Sequence, residues 1–595
     1  MSAVARGAHE GPDCGGTSAP GVRPGSAVGT DEEVRVGSST VVGIGVSPGR
    51  AVGPAVRLPA AVPEPPAGRR LPPGADRDAA AAQVAVSADA VRDELDAAAQ
   101  AAEGDAAALL YATAAMAADP SLVADAQQRV RDEHLVPERA VWEAADAVTA
   151  ELEALGGYMA ERVRDVVDVR DRLVAHLTGQ QAPGVPVRPT PYVLVADDLA
   201  PALTATLDPR RVIAVVTAAG GPTSHTAILA RSRGIPAVVA APGVLDLAEG
   251  TLLLVDGATG SVVPDPSDDA VRRVLALAGA VRTFDGDGRT ADGHRVELLA
   301  NVGDPADAQA AADAGAQGVG LFRTEFAFLD RTQAPDVDEQ TVAYGRVLSA
   351  FTGRKVVVRT LDAGADKPLP FLHAAPEANP ALGVRGLRVA QQRPEVLEDQ
   401  LTAIARAAGA HPGTTTWVMA PMVATVDETE QFVAACARHG LTTAGIMVEV
   451  PSAALLAGPL LAHAQFASIG TNDLTQYTMA ADRLLGAVAG LSDAWQPAVL
   501  RLVEATALGG AAQARPVGVC GEAAADPALA VVLVGLGVTS LSMTPRALPD
   551  VAAVLAATDL ATCRVLARRA ADSSSAADAR AAVRAALPVL DELGL

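Results

Sequence analysis

The C-terminal half of the chain alternates short apolar runs with longer stretches that have helical spacing. The apolar runs span 296–302, 317–322, 355–359, 416–421, 445–449, 466–470, 516–520 and 540–543. Runs of this length indicate buried strands, and the stretches between them are long enough for helices. Eight such alternations over about 300 residues predict a (β/α)8 barrel of the TIM type.

In the N-terminal half, one strand leads through a glycine turn into a helix. Residues 211–217 are apolar and β-branched, 220–221 are glycines, and apolar helix formers occupy 227–230. This order predicts that His225 stands in the first turn of a helix. A helix N-terminus favours negative charge, so a phosphoryl group on His225 would be held there. The alternative is a capped surface histidine, because serine and threonine stand beside it.

An alanine-rich stretch, 65–183, precedes this strand. Within it, apolar residues at helical spacing alternate with acidic ones, and Pro120 and Pro137 predict helix starts or breaks. The stretch 65–183 is therefore expected to be a helical segment between two flanking parts, 40–64 and 184–265.

Polar residues cluster at the carboxyl ends of the predicted barrel strands, where such barrels carry their chemistry. They are Arg323, Arg359, Glu449, Asn472, Asp473 and Cys520, and Arg483 follows ten residues after Asp473. Several arginines at one mouth suit a small substrate with phosphate and carboxylate groups, because each guanidinium can grip such a group through two parallel hydrogen bonds. Taken singly, each residue is equally compatible with a solvated or salt-bridged surface group.

Three residues of this group indicate a metal and an acid. Glu449 and Asp473 offer hard oxygen ligands for Mg²⁺, which normally takes one or two carboxylates and completes its shell with water and substrate oxygens. Cys520 is a candidate acid or base, because a thiol can reach a useful pKa near cationic groups. The alternative for Cys520 is a small buried hydrophobic residue.

Nine motifs follow one another along the chain. They are VVGIGVSPGRAVGPA at 41–55, VLVADDLAP at 193–201, GGPTSHTAILARSRGIPAVV at 220–239, GVGLFRTEFAFLDR at 318–331, VVVRTLDAGADK at 356–367, NPALGVRGLR at 379–388, GIMVEVPSAA at 445–454, FASIGTNDLTQYTMAADR at 466–483 and GVCGE at 518–522. In these motifs and their order the chain resembles Enzyme I of the phosphoenolpyruvate-dependent sugar phosphotransferase system. The resemblance implies a swivelling phosphohistidine α/β domain with a helical insert, followed by the C-terminal barrel.

The resemblance also implies roles for single residues. His225 matches the family's phosphorylated histidine, and Thr204 matches a threonine that hydrogen-bonds it. Glu449 and Asp473 match the Mg²⁺ ligands, and Cys520 matches the proton donor. The residues implied to bind phosphoenolpyruvate are Arg323, Arg359, Asn472, Asp473 and Arg483, with Arg385 in support.

By resemblance, the phosphoryl group passes from phosphoenolpyruvate to His225 and then to a histidine of the phosphocarrier protein HPr. A homodimer through the barrel is implied in the same way. Two departures from the family pattern are Pro222, where many relatives carry a basic residue, and the alanines and threonine at 112–114 after Tyr111, where relatives often carry acidic and histidine residues. The departure at 112–114 falls in the HPr-docking insert. It therefore affects the expected identity of the carrier partner more than the phosphoenolpyruvate chemistry.

A charged stretch, 266–290, is predicted as a linker to the barrel at 291–595. Because His225 must meet phosphoenolpyruvate at the barrel and a carrier at the insert, one domain has to swing between two sites. Gly286 and Gly288 are the candidate pivots.

Composition narrows the function classes. The chain has 595 residues, 50% of them apolar, which is enough for several domains with large cores. Its formal net charge of −23 argues against nucleic acid and favours a protein partner with a basic face. The apolar stretch 528–538 is too short to span a bilayer and predicts a barrel helix, so membrane insertion is not expected. Residues 1–39 lack a signal-peptide core, and the four cysteines are scattered, so a disordered extension and a cytoplasmic location are expected.

Two other functions compete with a phosphotransferase. A dikinase of the pyruvate phosphate dikinase or phosphoenolpyruvate synthase type shares the histidine and barrel modules but needs an ATP-binding module, which nothing in the sequence resembles. A regulatory protein that binds phosphoenolpyruvate or a carrier without turnover would need neither a nucleophile nor a proton donor. The presence of His225 and Cys520 favours the enzyme over that protein.

Overall fold

The structure is a computed structural model of the chain. It describes residues 40–59, 62–100, 105–155, 163–180, 184–199, 203–204, 206–221, 225–277, 282–328, 331, 333–363, 369–372, 377, 379–482 and 486–595. The expected extension at 1–39 lies outside the described residues.

The N-terminal part of the described chain contains one eight-stranded sheet. Its strands are β1 (Val41–Val42), β2 (Ile44–Ser47), β3 (Arg50–Arg57), β4 (Tyr192–Ala196), β5 (Val212–Thr217), β6 (Ala237–Val239), β7 (Leu252–Asp256) and β8 (Ser261–Pro264). The order across the sheet is β1-β8-β7-β3-β4-β5-β6-β2. Strands β3 to β6 pair in parallel, and the other neighbours pair antiparallel. The strand predicted at 211–217 is confirmed as β5.

The helical insert leaves the sheet after β3 and returns at β4, which pairs directly with β3. Its helices are α1 (Arg77–Gln100), α2 (Asp105–Ala117), α3 (Pro120–Asp132), α4 (Pro137–Leu155) and α5 (Val163–Thr178). Pro120 and Pro137 are first residues of helices, as predicted, because proline's missing N–H costs no hydrogen bond there. The carboxylate of Asp119 caps α3 by accepting from the N–H groups of Ser121 at 2.8 Å and Leu122 at 3.2 Å.

Two further helices complete this part of the chain. α6 (His225–Arg233) follows β5, and α7 (Asp268–Leu277) follows β8. α7 lies inside the stretch 266–290 that the sequence predicts as a linker, and it packs on β3 of the sheet. Part of the predicted linker is therefore a helix, and this helix packs on the eight-stranded sheet.

The later part of the predicted linker is bound to the barrel. Nε of Arg282 lies 2.5 Å from Oδ1 of Asp550, and Nη1 donates to the carbonyl of Leu593 at 3.0 Å. Gly288 accepts from the N–H of Val296 at 3.0 Å, and a Cβ on Gly288 would lie 2.2 Å from the Val296 carbonyl oxygen. Gly288 is thus packed against Val296 in this conformation, and its role as a pivot, like that of Gly286, stays a prediction.

The C-terminal part forms the closed parallel barrel that the sequence predicts. Its strands are β9 (Glu297–Val302), β10 (Gly318–Arg323), β11 (Lys355–Arg359), β12 (Thr415–Ala420), β13 (Ala444–Val448), β14 (Ala467–Ile469), β15 (Val517–Val519) and β16 (Ser540–Met543). Each matches a predicted apolar run to within a residue or two. The barrel closes because β16 pairs with β9 as well as with β15.

Helices surround the barrel and cover the outward faces of its strands, while side chains such as Leu321, Val357 and Met447 fill its interior, so the strands are apolar on both faces. They are α8 (Ala308–Asp313), α9 (Val337–Ala350), α10 (Leu387–Gln392), α11 (Pro394–Ala410), α12 (Val426–Arg438), α13 (Pro451–Leu455), α14 (Ala457–His463), α15 (Thr471–Met479), α16 (Pro497–Ala512), α17 (Pro527–Gly535), α18 (Leu548–Ala556), α19 (Leu560–Ala571), α20 (Ala576–Arg584) and α21 (Val589–Leu593). The predicted helix at 528–538 is α17, between β15 and β16. Among the helices that the structure describes, none is both long and apolar enough to cross a membrane.

Candidate active site

The residues predicted from the strand ends do lie at one mouth of the barrel. Because all eight strands run parallel, their carboxyl ends meet at the same end of the barrel. Arg323 and Arg359 are the last residues of β10 and β11. The residues just after a strand are Glu449 after β13, Asn472 and Asp473 at the start of α15, and Cys520 after β15. Arg483 lies outside the described residues.

Arg359 is held by carboxylates on several sides. Nη2 donates to Oε1 of Glu325 at 2.5 Å, and Nη1 lies 3.3 Å from Oδ2 of Asp362 and 3.7 Å from Oε1 of Glu449. Burial alone would lower the pKa of Arg359, but the charges of these carboxylates raise it above the ordinary arginine value. The guanidinium is therefore a fixed positive charge with a set orientation at the barrel mouth.

Arg385, the predicted supporting residue, also links carboxylates. Its Nη1 lies 3.1 Å from Oδ1 of Asp473, and its Nη2 lies 3.3 Å from Oδ2 of Asp362. The hydroxyl of Tyr477 accepts from Nη1 at 3.3 Å. These contacts fix the side chain of Asp473 at the start of α15, as expected of a residue that supports the site rather than bonding substrate.

Arg323 differs from these two arginines. Among the residues that the structure describes, it has no ion-pair or hydrogen-bond partner for its guanidinium. Its side chain is partly exposed at the mouth, next to the buried charges. A guanidinium of this kind is available to an anionic ligand.

Glu449 is buried among like charges. Its Oε2 accepts from the N–H of Met422 at 2.9 Å, and a Cβ on Gly470 would lie 2.8 Å from its Cγ, so only glycine leaves room for it. Burial, aided by the carboxylates of Asp362 and Asp473, raises the pKa of Glu449 to about 8. A hard cation beside Glu449 and Asp473 would relieve this repulsion, and oxygen ligands suit Mg²⁺.

The described residues contain no group of three or more His, Cys, Asp or Glu side chains that could enclose a metal by itself. Two carboxylates match a Mg²⁺ site whose shell is completed by water and by substrate oxygens. The donor set at Glu449 and Asp473 therefore fits Mg²⁺ better than a metal that needs a full protein cage.

Cys520 is buried at the centre of this mouth. Its N–H donates to the carbonyl of Ile469 at 3.0 Å, and its Sγ lies 3.6 Å from the same oxygen. Burial raises the pKa of the thiol to about 11, and a hydrogen bond from Ser468 opposes the shift. The thiol keeps its proton at neutral pH, so it is suited to give a proton rather than to attack as a thiolate.

Some residues at the mouth were not singled out from the sequence. Asn301 donates from Nδ2 to the carbonyl of Cys520 at 3.1 Å and accepts from Oγ of Ser542 at 2.6 Å. Glu325 and Asp362 orient Arg359 from within the motifs that carry the arginines. In the sequence, Asn301 could have been noticed as a polar residue inside an apolar run. Glu325 and Asp362 could have been noticed as carboxylates that follow an arginine by two and three residues.

The helix that carries His225 begins where the sequence predicts. α6 starts at His225, and Gly220 takes a φ of +93°, which favours glycine, in the turn after β5. Thr204 is fully buried. Residues 222–224 and the side chain of His225 lie outside the part of the chain that the structure describes, so the hydrogen bond between Thr204 and His225 stays a prediction.

Comparison with known proteins assigns the family. Models of the PEP-utilising enzymes match in turn: the N-terminal domain at 42–162, the mobile domain at 188–260 and the PEP-binding domain at 280–560. A phosphoenolpyruvate-protein phosphotransferase of Streptomyces coelicolor is 51% identical over 555 residues, which is 92% of this chain and 99% of that protein. The chain belongs to the phosphoenolpyruvate-protein phosphotransferase family.

More distant relatives agree with this assignment. A phosphoenolpyruvate-protein phosphotransferase of Haloferax volcanii is 45% identical over 73% of this chain and 79% of its own length. One of Geobacillus stearothermophilus is 38% identical over 85% of this chain and 91% of its own length. This phosphotransferase is thus a transferase that takes its phosphoryl group from phosphoenolpyruvate, and the resemblance to Enzyme I is confirmed over a dikinase or a binding protein.

The two centres of this phosphotransferase fall in different matched parts. The PEP-binding match at 280–560 contains the whole barrel-mouth cluster, from Arg323 to Cys520. The mobile-domain match at 188–260 contains Thr204 and His225. His225 and the barrel-mouth cluster therefore lie in different matched parts of the chain.

Proposed function

We propose that this phosphotransferase moves the phosphoryl group of phosphoenolpyruvate to His225 and from there to a histidine of HPr, as the first step of the sugar phosphotransferase system. The observation that carries the proposal is the barrel mouth, where arginines and paired carboxylates surround a protonated thiol. Anion binding alone requires no such thiol. A helix that begins at His225, on a separate module, supplies the acceptor.

Substrate binding is assigned to Arg323, Arg359, Asn472 and Arg483. Arg323 has its guanidinium available at the mouth, and Arg359 is already oriented by Glu325. Arginine forks match the oxygens of a phosphate and a carboxylate, and phosphoenolpyruvate carries both groups. Asn472 is held in place because its Oδ1 accepts a backbone N–H at 3.2 Å.

Glu449 and Asp473 would hold Mg²⁺ at this mouth, with Arg385 keeping Asp473 in position. When bound, the metal offsets negative charge on the phosphoryl oxygens and on the oxygen that leaves phosphorus. Burial, and after it the nearby carboxylates of Asp362 and Asp473, raise the pKa of Glu449, so a cation at this mouth would stabilise its charged form.

The chain's own groups make and break the bonds. A ring nitrogen of His225 attacks phosphorus, and the bond from phosphorus to the enol oxygen breaks, leaving its electron pair on that oxygen. The resulting enolate takes a proton at its methylene carbon from the thiol of Cys520 and becomes pyruvate. The thiolate then regains a proton from solvent, which its high pKa favours. A basic nucleophile and a protonated acid are thereby kept in separate modules.

We assign the binding of the carrier to the helical insert, α1 to α5. We assign the interface of the homodimer to the barrel. For the dimer, the support is an exposed pair of leucines on neighbouring helices: Leu455 is 69% exposed at the end of α13, and Leu508 is 63% exposed on α16. Exposed apolar patches are common at interfaces between copies. Light scattering should find a dimer for the wild type and a monomer for Leu508→Glu, and a monomer for both would remove this assignment.

The test is transfer of radiolabel from [³²P]phosphoenolpyruvate, with Mg²⁺, to the wild type and to His225→Ala, each with and without HPr. Acid-labile label on the wild type alone, passing on to HPr, is the expected result. If the label stays on the wild type, the proposed reaction at the barrel mouth is supported, but HPr is rejected as the acceptor. Equal labelling of His225→Ala would reject His225 as the nucleophile.

A further inference from the structure

We infer that an ion pair between Arg231 and Glu522 seats the helix of His225 against the barrel during transfer from phosphoenolpyruvate, and opens before transfer to the carrier. Nη1 of Arg231, on α6, bonds Oε2 of Glu522, which lies two residues after Cys520. The pair joins the phosphohistidine module directly to the segment that carries the candidate proton donor. The inference rests on the proposed function.

The backbone of Glu522 is held against the candidate substrate site. Its backbone N–H donates to Oδ1 of Asn472 at 3.2 Å. A Cβ on the preceding Gly521 would lie 1.9 Å from Oγ1 of Thr471, so the segment passes tightly against the start of α15. The backbone that carries the carboxylate of Glu522 is therefore held next to Asn472, a residue assigned to substrate binding.

Arg231 has a defined place relative to the nucleophile. It follows His225 by six residues, which is about 9 Å along a helix axis. Because α6 is one rigid helix, a bond at Arg231 limits where its first turn can lie. The ion pair therefore acts on His225 by positioning the helix, without touching the reacting atoms.

A second contact lies beside the pair. A Cβ on Gly234, just after α6, would lie 3.0 Å from Nη1 of Arg546, in the loop after β16. The C-terminus of a helix carries partial negative charge, so a guanidinium is favourable there. Burial, with the charge of Arg546, lowers the pKa of Arg233 next to it. The end of α6 thus lies close to Arg546, but Arg233 and Arg546 carry like charges, so the attraction to the barrel comes from the pair of Arg231 with Glu522.

The exposure of the pair suits a contact that has to break. The side chain of Arg231 is 24% exposed and that of Glu522 is 53% exposed. Partly solvated ion pairs are weak and screened by salt, so they orient two bodies without locking them. A buried pair in this position would hold the domain at the barrel and slow the second half of the reaction.

The test separates the two half reactions by rapid quench. Arg231→Gln and Glu522→Gln should each slow phosphorylation of the enzyme by phosphoenolpyruvate about fivefold, the size expected for a partly exposed ion pair. Transfer from the phosphorylated enzyme to HPr should keep its wild-type rate. The double variant Arg231→Glu with Glu522→Arg should recover most of the lost rate, which a general loss of stability would not allow.

Matched controls use exposed ion pairs elsewhere. Arg210→Gln removes a surface pair with Asp208 on the same module, and Glu430→Gln removes a glutamate that is 52% exposed on the barrel. Both should behave as wild type. Raising the salt concentration should slow the first half reaction of the wild type more than that of Glu522→Gln.

Three results would overturn the inference: an unchanged first half reaction in both single variants, no recovery in the double variant, or an equal loss in both half reactions for Arg231→Gln. The last would place Arg231 on the phosphohistidine itself. Failure of the proposed function is distinct, since the wild type would then take no label from phosphoenolpyruvate at all.

Discussion

The guanidinium of Arg385 holds the carboxylate of Asp473, with 3.1 Å between Nη1 and Oδ1. The same guanidinium reaches Asp362 at 3.3 Å, so one buried arginine joins the segment after β11 to the start of α15. Both carboxylates are nearly inaccessible to solvent. Buried charges of this kind depend on one another, because each loses compensating charge when a partner is removed.

Arg385→Leu should therefore destabilise the barrel by about 3 kcal/mol, because it removes a positive charge that two buried carboxylates share. Urea unfolding followed by fluorescence of the barrel tryptophans would measure the loss. Arg388→Leu, three residues away, removes an arginine that bonds only loop carbonyls, at 2.9 Å and 3.3 Å, and should cost less than half as much. Equal losses in the two variants would contradict the assigned role of Arg385.

Cys520→Ala should slow turnover of phosphoenolpyruvate at least tenfold, because the enolate loses its positioned proton donor. Exchange of phosphate between the phosphorylated enzyme and HPr should be unaffected, since no carbon is protonated in that step. Pyruvate release and HPr labelling measure the two separately. Cys436→Ala, at a buried cysteine on α12 away from the mouth, is the matched control. Equal loss in both half reactions would remove Cys520 from the proton-donor role.

Removal of Mg²⁺ with a chelator should abolish labelling of the enzyme by phosphoenolpyruvate and should leave the transfer from enzyme to HPr intact. The reason is that the carboxylates assigned to the metal, Glu449 and Asp473, lie in the barrel, whereas the second transfer uses His225 and the carrier. Adding Mg²⁺ back should restore labelling. If the chelator stops both transfers equally, the metal acts outside the barrel mouth.

Asp256→Asn should destabilise the eight-stranded sheet at pH 7, and this loss should shrink as the pH falls below the ordinary carboxyl pKa. Asp256 lies 2.8 Å from Nε of Arg50; burial raises the pKa of its carboxyl, but the arginine's charge and the N–H of Thr259 outweigh burial and lower it below the ordinary value. A lowered pKa means that the charged form stabilises the fold above the ordinary pKa, and that this contribution is lost as pH falls through the folded value.

The expected difference at pH 7 is about 2 kcal/mol, the size of a hydrogen-bonded charge in a partly buried site. Urea unfolding of the wild type and of Asp256→Asn at several pH values would measure it. Asp269→Asn, at a side chain that is 76% exposed, should change little at any pH. A difference between wild type and Asp256→Asn that stays constant down to pH 3 would show that the charge of Asp256 is not its source.

The barrel was predictable because its strands are buried on both faces. Such strands are short apolar runs, and these stand out against the longer amphipathic helices between them. The candidate site followed from the same pattern, because the carboxyl ends of parallel strands share one mouth. Pro120 and Pro137 were readable as helix starts for an equally local reason, the missing N–H of proline.

The contacts within the site were not predictable, because their partners are far apart along the chain. Arg385 and Asp473 are separated by 88 positions, and Arg231 and Glu522 by 291. The contacts made by the predicted linker were not predictable for a related reason. α7 and Gly288 lie in a charged, glycine-containing stretch, yet the first packs on the sheet and the second on Val296.

The sequence by itself determined the eight strand runs, the position of His225 at the start of a helix, and which polar residues gather at the barrel mouth. These depend on local periodicity and on the rule that parallel strands end together. Only the tertiary structure decided which carboxylate holds each arginine, why Cys520 keeps its proton, and where the helix of His225 meets the barrel. Those properties arise from burial and from charges brought together by folding, and neither is encoded in the spacing of neighbouring residues.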